Sequence, residues 1–495
     1  MRKLFAIACL LVAVSSQAQK IANPKPFASS ITADDLKKHL YIIAGKEMEG
    51  RLTASEGQKK AAAYIENQFK SLGLQPGNAG GYQLPYPVFQ DSLTSSKLEI
   101  NGKSYQADKD FAVNLNNYPA TISCAEVVYV GNGIVDSNRN DYKDVNVAGK
   151  IVMLSTSQQR FGAQSYQAVA QKNGAIAILV IQSNFPRRSA GSKGPQYVTA
   201  FRRTVFPNTF FISEEIAQSI MGSEDWTASK SGKAKSKSYS ANVVMALEKT
   251  TTKNESSNVI AYLEGTDLKD QYVFITAHYD HLGKRDTVIY YGADDDGSGT
   301  CAVMELAEAF SKAKAAGKGP RRTIVFMTVS GEEEGLWGSA FYGDHPVFPL
   351  DKTTVDLNID MIGRIDPKRK VGDSTNYVYI VGDDKLSSDL HPISTATNDK
   401  YTKLELDYKF NDPKDPERIY FRSDHFNFAR KGVPIIFYFN GTHNDYHRPT
   451  DTPDKINYDL YAKRAQLVFY TAWEMANRND MLKRDIPLDT SFMGR

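Results

Sequence analysis

The sequence predicts an α/β fold with a mixed, largely parallel central sheet flanked by helices and a smaller inserted β-rich α/β unit. After Asn242, short apolar or β-branched runs alternate with helix-like stretches, which is typical of parallel strands covered on both faces. From Thr121 to Ser240 the strand-like runs are shorter and indicate the insert. At 495 residues, 41% of them hydrophobic, the chain exceeds the size at which one core stops growing, so we expect two folding units.

The first residues have the pattern of a secretory signal peptide. Arg2 and Lys3 precede an apolar run over residues 4–14, and small residues follow at Ser16 and Ala18. We expect cleavage after Ala18 and export to the periplasm or the extracellular space. A membrane span needs about 20 apolar residues, so we expect no stable span after signal removal.

Helical spacing then marks the start of the main domain. Ala62, Ile65, Phe69 and Leu72 repeat at this spacing before Gly73, which predicts a helix that packs on the sheet.

The overall charge argues against a nucleic-acid or membrane partner, and the cysteines argue against a disulfide-rich protein. Lys and Arg number 60 and Asp and Glu 57, which is too balanced to favour nucleic acid or an anionic membrane as a partner. Cys9 lies in the leader, and the remaining Cys124 and Cys301 do not make a disulfide framework. We expect Cys301 to pack in a helix rather than bind a metal.

Four predicted strands are each followed by side chains that commonly bind metals. The strands cover residues 272–277, 323–329, 355–359 and 433–439, and the side chains after them are His278, Glu332 with Glu333, Asp360 and His447, respectively. Open α/β sheets place their sites beyond the carboxyl ends of strands. We therefore expect these side chains to lie at one place.

A glycine-rich loop at 292–300 adds three successive carboxylates, Asp294, Asp295 and Asp296, before a predicted helix at 301–310. Their mutual repulsion is costly unless a cation compensates it. A calcium loop would need alternating ligands and a glutamate at its twelfth position. Glu305 has that position, but it falls within the helical pattern and the aspartates are adjacent, so calcium is disfavoured.

Each candidate alone has an ordinary explanation. A single histidine is more often hydrogen-bonded than ligated, Glu332 to Glu334 could begin a helix, and Asp360 could cap a turn. The joint occurrence of two histidines and three carboxylates in a chain with eight histidines favours a metal site. Imidazole and carboxylate ligands without thiolates suit zinc or, less selectively, cobalt or manganese.

Five motifs resemble metallopeptidase family 28, of the secreted two-zinc aminopeptidase type. The family includes secreted bacterial leucyl-type aminopeptidases, plasma glutamate carboxypeptidase and the glutaminyl cyclases. The motifs occur in the family's order and are TAHYDH (276–281), GADDDGSG (292–299), SGEEEGLWGS (330–339), DMIG (360–363) and YHRPTD (446–451). The resemblance implies a zinc-exopeptidase fold of the phosphorylase/hydrolase type over roughly residues 30–110 and 245–480.

The resemblance also implies two Zn²⁺ per chain and the residues that hold them. His278 and Asp360 correspond to terminal ligands of one zinc. Glu333 and His447 correspond to those of the other, and Asp294 to the carboxylate that bridges both.

Three further roles follow from the same resemblance. Glu332 corresponds to the general base, with the register of the glutamates set by the residues 335–339. Asp280 corresponds to a carboxylate that orients the imidazole of His278. Tyr446 corresponds to a phenol that polarises the scissile carbonyl.

The insert resembles a protease-associated domain through residues 148–152 and 174–181. This gives a division into a signal peptide (1–18), the first part of the peptidase domain (19–120), the insert (121–241) and the catalytic zinc peptidase domain (242–495).

The sequence therefore predicts an exported zinc aminopeptidase that acts on peptides. A carboxypeptidase or dipeptidase is an alternative, because Arg418 or Arg422 could meet a substrate carboxylate. A glutaminyl cyclase and a non-catalytic binding ectodomain are weaker alternatives. A serine hydrolase built on Ser423, Asp424 and His425 is disfavoured, because no nucleophile-elbow sequence is nearby.

Overall fold

A computed structural model describes residues 22–156, 165–186, 196–198, 205–412 and 414–489. The predicted signal peptide, residues 1–18, lies outside the described residues. No helix within these ranges has both the length and the apolar content that a membrane span needs.

The strands of the described residues supply one large sheet and a separate short hairpin, β12–β13. In chain order they are β1 (Gln75–Pro76), β2 (Gln83–Ile100), β3 (Lys103–Tyr105), β4 (Phe111–Val113), β5 (Ala120–Tyr129), β6 (Ile151–Ser155), β7 (Ala177–Gln182), β8 (Gln196–Val198), β9 (Asn208–Ser213), β10 (Lys237–Leu263), β11 (Leu268–His278), β12 (Lys284–Arg285), β13 (Val288–Ile289), β14 (Arg322–Val329), β15 (Thr353–Ile359), β16 (Tyr377–Val381), β17 (Glu405–Asp407) and β18 (Ile435–Phe439).

The α-helices of the same residues follow the alternation that the sequence predicts. They are α1 (Lys25–Ala28), α2 (Ala33–Ile43), α3 (Glu56–Ser71), α4 (Tyr166–Lys172), α5 (Glu214–Met221), α6 (Ser223–Lys230), α7 (Gly299–Ala315), α8 (Trp337–Asp344), α9 (Leu390–Tyr401), α10 (His425–Ala429) and α11 (Tyr458–Asn477).

The centre of the sheet is parallel and its flanks are mixed. Strand β11 runs parallel to both β14 and β15, and β15 runs parallel to β18, whereas β16 and β10 join this group antiparallel. The four strands predicted to precede metal-type side chains are β11, β14, β15 and β18, which are neighbours in the order β18-β15-β11-β14. The prediction of a mixed, largely parallel sheet flanked by helices is confirmed.

Alternation along β11 gives each face of the sheet its own core. Val273 and Ile275 belong to a core that includes residues of α7 and α11. Phe274, between them, belongs to the opposite core with Tyr342 of α8 and Phe428 of α10. Because successive side chains of a strand point to opposite faces, a continuous apolar run is buried on both sides. This double burial fixes the strand ends that carry the candidate site.

The inserted segment has buried clusters of its own around β5, β6, β7 and β9. Leu98 and Leu247 belong to one of these clusters, although both lie outside the predicted limits 121–241. Strand β10 crosses the predicted boundary at 241 and pairs with β5 and with β14. The stretch 228–240, which the sequence suggests is a solvated linker, instead holds the end of α6 and the start of β10. The division into domains stays a prediction.

Both cysteines of the described residues are free. Cys301 is fully buried in the core that contains α7, as its prediction as a packing residue requires, and Cys124 is partly buried.

Candidate metal centre

The carboxyl ends of the central strands bring histidines and carboxylates together, as the sequence predicts. His278 is the last residue of β11, Asp360 follows β15, and Glu332 with Glu333 follows β14. His447 lies on the loop after β18 and has a positive φ of 56°. The cluster therefore joins three strand ends to one surface loop.

One half of the cluster surrounds His278, whose side chain is 1% exposed. Its Nε2 lies 3.3 Å from Asp295 Oδ1, 3.7 Å from Asp360 Oδ2 and 3.9 Å from Glu332 Oε2. Glu332 is thus the most distant of the three carboxylates.

The other half surrounds His447, whose side chain is 38% exposed. Its Nε2 lies 3.1 Å from Asp295 Oδ2 and 3.1 Å from Glu333 Oε2. Asp295 therefore presents one carboxylate oxygen to each half of the cluster.

Asp294, the residue predicted to bridge two metals, does not lie between the halves. Its Oδ1 accepts a hydrogen bond of 2.6 Å from the Gly363 N–H, and its Oδ2 lies 3.3 Å from His443 Nε2. The N–H groups of Asp294 and Asp295 both donate to Asp451 Oδ2, which holds the turn so that only Asp295 enters the cluster. The prediction of Asp294 as the bridging carboxylate disagrees with this placement, and Asp295 occupies that position one residue later.

The third aspartate of the loop ties the surrounding main chain together. Asp296 Oδ1 accepts hydrogen bonds from the N–H groups of Gly299 and Met361, and its Oδ2 accepts one from the His278 N–H. Adjacent carboxylates thus have three different environments.

The cluster has the spacing and the unpaired atoms of a zinc site. Two ligands of one tetrahedral zinc, each about 2.0–2.2 Å from the ion, lie about 3.3 Å apart. The contacts of Asp295 with His278 and His447, at 3.3 and 3.1 Å, match this value. His278 Nε2 and Asp295 Oδ2 are buried and have no hydrogen-bond partner within the described part of the chain. These donor atoms fit zinc, and cobalt or manganese less selectively.

The electrostatics show that this pocket attracts positive charge. Burial would raise the pKa of Asp295, but the imidazoles of His278 and His447 hold that pKa well below its usual range. Burial would lower the pKa of His447, but Asp295 and Glu333 raise it to about 10. A bound cation would replace the protons that these imidazoles take up in its absence.

Glu332 lies between the cluster and the cleft. Burial, together with the charges of Glu333, Asp360 and Asp424, raises its pKa well above the usual value, and His278 opposes this shift only in part. The Glu332 N–H donates to Asp280 Oδ1 at 3.2 Å, which fixes the main chain of this residue.

Asp280 supports the cluster in a different way from the predicted one. Its carboxylate oxygen Oδ1 lies 3.7 Å from His278 Nδ1, beyond hydrogen-bond distance, whereas its main-chain oxygen lies 3.1 Å from the same nitrogen. A backbone carbonyl can orient a ligand imidazole as well as a carboxylate does. The Asp280 carboxylate instead accepts hydrogen bonds from Thr53 Oγ1 and from the Glu332 N–H.

A small cleft opens onto the cluster. Tyr446 and Arg422 line it beside Asp295, Glu332 and Asp360. Arg422 Nη2 donates to Tyr446 Oη at 3.0 Å, and the Tyr446 ring stacks on that of His447 with centroids 3.8 Å apart. The predicted phenol therefore faces the same space as the predicted base. Ile419, Phe437 and Phe439 give the cleft an apolar side.

The sequence interpretation missed His281, which is fully buried beside the second half. Its Nδ1 lies 2.7 Å from Glu333 Oε1 and 3.8 Å from Asp295 Oδ2. His281, Asp295 and Glu333 together could hold a metal ion. The signal was available, because His281 is the second histidine of the TAHYDH motif.

The weaker alternatives from the sequence lose support in the structure. Glu305 lies 3.2 Å from His39 Nε2 rather than beside the aspartate loop, as a calcium loop would require. His425 Nε2 donates a hydrogen bond to the Tyr420 carbonyl, and Asp424 accepts one from the Ser339 hydroxyl. Ser423, Asp424 and His425 therefore do not form a catalytic triad.

Comparison with known proteins agrees with the resemblance that the sequence motifs indicate. Residues 258–472 match the model of the family described as Peptidase family M28. A leucine aminopeptidase 2 of Trichophyton equinum is 27% identical and spans 94% of this chain and 91% of its own length.

Two solved structures share the fold. An aminopeptidase from Aneurinibacillus sp. strain AM-1 has a TM-score of 0.59 at 21% identity, covering 94% of this chain and 99% of the other. A zinc aminopeptidase from Bacillus subtilis has a TM-score of 0.52 at 20% identity, covering 92% and 99%. The region that matches peptidase family M28, residues 258–472, contains all five motifs, so over this region the chain is similar to that family.

Proposed function

We propose that this protein is an exported, zinc-dependent aminopeptidase that removes the N-terminal residue from peptides, with a glutamate as general base. The main support for the proposal is the position of Asp295, which presents one carboxylate oxygen to His278 and the other to His447. A bridging carboxylate between two histidines suits a pair of metal ions. The names of the relatives, leucine aminopeptidase and zinc aminopeptidase, support the choice of reaction.

Two groups of residues would hold the two zinc ions. His278 and Asp360 would bind one ion, Glu333 and His447 the other, and Asp295 both. When bound, the two ions act as Lewis acids and lower the pKa of water so that hydroxide is available near neutral pH.

Glu332 would act as the general base. It lines the cleft, and the resemblance to family 28 gives the role of base to this position. Its Oε2 lies 3.9 Å from His278 Nε2, so a zinc content measured on a Glu332 variant tests whether it is a base or a ligand. A carboxylate in that position can take a proton from the attacking water and return it to the leaving amine. The hydrogen bond from its N–H to Asp280 would keep it in place during both transfers.

Tyr446 would stabilise the oxygen of the scissile carbonyl. Its Oη accepts a hydrogen bond from Arg422 Nη2, which leaves the phenolic hydrogen free to point into the cleft. A preorganised donor aimed at a developing negative charge lowers the barrier to acyl transfer. The guanidinium beside the phenol would strengthen that donor.

Arg422 also gives a reason to keep a second candidate function. Among the described residues, no carboxylate lies within ion-pair distance of its guanidinium, which lines the cleft. A guanidinium binds carboxylates through two parallel hydrogen bonds, so Arg422 could receive the C-terminus of a dipeptide. This observation favours a dipeptidase or carboxypeptidase as the alternative.

The test is hydrolysis of free and N-acetylated aminoacyl p-nitroanilides, with zinc content measured on the same sample. Cleavage of only the free-amine substrates, with about two zinc ions per chain and loss on chelation, is expected. Activity confined to dipeptides with a free carboxylate, and absent with the matching dipeptide amides, would instead support the alternative. A chain that binds no zinc and cleaves none of these substrates would contradict both.

We also propose export through the segment 1–18 and a protease-associated domain at 121–241. The buried clusters around β6 and β7 support a separate folding unit in the insert. N-terminal sequencing of the secreted protein should begin at Gln19. A retained leader would contradict the export proposal without affecting the catalytic one.

A further inference from the structure

One buried arginine, Arg51, lies beside the candidate metal centre, although it precedes the region 258–472 by about two hundred residues. Arg51 ends the short 3₁₀ helix Lys46–Arg51 and is 0% exposed. All its hydrogen bonds from the side chain go to main-chain carbonyls. Nε donates to Tyr279 O (2.6 Å), Nη1 to Ile43 O (2.7 Å) and Tyr291 O (2.9 Å), and Nη2 to Gly292 O (2.9 Å).

Two of these carbonyls belong to the segments that carry the central ligands. Tyr279 directly follows His278, and Gly292 precedes the turn that contains Asp295. One rigid guanidinium therefore connects the end of β11 to the aspartate loop. Because Arg51 has five N–H donors in a fixed fork, it sets the spacing of these carbonyls more tightly than a flexible side chain would.

The neighbouring main chain seats this arginine closely. A Cβ atom at Gly50 would clash with the carbonyl oxygens of Gly283 and Tyr290, so only glycine fits there. The His281 N–H donates to the Arg51 carbonyl at 3.2 Å. Arg51 thus contacts the TAHYDH motif through both its side chain and its main chain.

The positive charge of Arg51 also affects the electrostatics of the metal centre. No carboxylate of the described residues lies within ion-pair distance of its guanidinium, so this buried cation is solvated by carbonyl dipoles. Asp280, Asp295 and Asp296 are among the groups whose charges act on it, after the Cys301 thiol. A fixed positive charge behind these carboxylates offsets part of their mutual repulsion.

We infer that Arg51 is a positioning residue of the metal centre, which holds His278 and Asp295 at the separation that a shared zinc ion requires. The inference rests on the proposed function, because it concerns the same metals. It adds a residue outside the region that matches the family and gives the N-terminal segment a role in metal binding.

The test compares zinc affinity in Arg51→Met and Arg51→Lys with that in a matched control, Arg322→Met. Arg322 is also 0% exposed and donates to Gln271 Oε1 and to the carbonyls of Met475, Arg478 and Asn479. It begins β14, at the end opposite to the metal centre. Both methionine variants should lower the melting temperature of the metal-free chain, since each leaves buried carbonyls unpaired.

Only the Arg51 variants should change metal binding. We expect the zinc dissociation constant to rise about 10–100-fold in Arg51→Met and less in Arg51→Lys, and to stay at the wild-type value in Arg322→Met. The visible absorption of the Co²⁺-loaded protein should change in Arg51→Met alone. This spectrum reports ligand geometry and does not depend on turnover.

Several outcomes would overturn the inference. Equal zinc affinity and an unchanged Co²⁺ spectrum in wild type and Arg51→Met would do so. If Arg51→Met does not fold, Arg51→Lys decides, because it keeps the buried charge, and wild-type affinity in that variant would contradict the inference. A wild-type chain that binds no zinc would overturn the proposed function as well, whereas normal wild-type binding with an unaffected Arg51 variant overturns this inference alone.

Discussion

The two halves of the candidate metal centre are built on different parts of the fold. His278 ends a strand that is buried on both faces, and its side chain is 1% exposed. His447 lies on the loop after β18, and its side chain is 38% exposed. A ligand on a packed strand is held by the core, whereas a ligand on a loop depends on its local hydrogen bonds. We therefore expect the His278 half to keep its metal when the His447 half has lost its own.

The largest effect should come from the residue that the two halves share. Asp295→Asn should lose both metals and reduce kcat/KM on the order of a thousandfold or more, because it removes the single negative charge that the two halves share. Zinc content and hydrolysis of a leucyl p-nitroanilide, measured on the same preparation, check this.

Asp294→Asn is the matched control for that variant. Asp294 faces Gly363 and His443, so its variant should keep both metals and lose far less activity. If Asp294→Asn lost the metals and Asp295→Asn kept them, the bridging position would belong to Asp294, as the resemblance first implied.

The second-largest effect should be a loss of activity without a loss of metal. Glu332→Gln should lower kcat about 10²- to 10⁴-fold while both zinc ions stay bound, since a base is removed and no ligand. Glu334→Gln is the control, because its carboxyl is neighbouring but takes no part in the cluster. Burial, with Asp280 and Glu333, raises the pKa of Glu334 to about 7. A Glu332 variant that lost a zinc ion would show that this residue is a ligand.

The sequence predicted what depends on local pattern and missed what depends on distant contacts. Apolar runs located β11, β14, β15 and β18, and the rule that sites lie beyond strand ends placed His278, Asp360 and Glu333 together. The choice among three adjacent aspartates could not be made from spacing, because it is decided by Asp451, which lies far along the chain and holds the turn.

Dependence on distant contacts also explains why the sequence did not reveal the role inferred for Arg51 or the extent of the insert. Arg51 acts through main-chain carbonyls, which leave no pattern in the sequence. Strand β10 is 27 residues long, and its Lys/Ser-rich beginning resembles a linker until its pairing with β5 is known. Tertiary pairing overrides local composition in such segments.

Alanine variants of the two histidines should show whether the two halves bind zinc with different affinity. His447→Ala should leave about one zinc ion per chain, and that ion should be held at the His278 half because the buried ligands there are untouched. His278→Ala should instead lower occupancy of both positions, since Asp295 loses the partner that fixes one of its oxygens. Zinc titration with a chelator of known affinity measures the two classes of site. Equal loss in both variants would contradict the difference between the halves.

The smallest of these effects should come from His281, which tests how the weaker half is held. Its Nδ1 lies 2.7 Å from Glu333 Oε1, which is shorter than the roughly 3.3 Å between two ligands of one zinc. We therefore expect His281 to hold Glu333 rather than bind the ion, leaving Glu333 Oε2 for the metal beside His447. His281→Ala should weaken zinc at the His447 half about 10-fold without changing the other half, and His281→Gln, which keeps a donor, should restore part of this.

If His281 is instead a ligand, His281→Gln should fail to restore zinc affinity and the Co²⁺ spectrum of the His447 half should change as much as in His447→Ala. That result would give the exposed half a buried ligand of its own. The two halves would then be expected to release their metals at similar chelator concentrations, and the comparison between them would rest on the exposure of His447 alone.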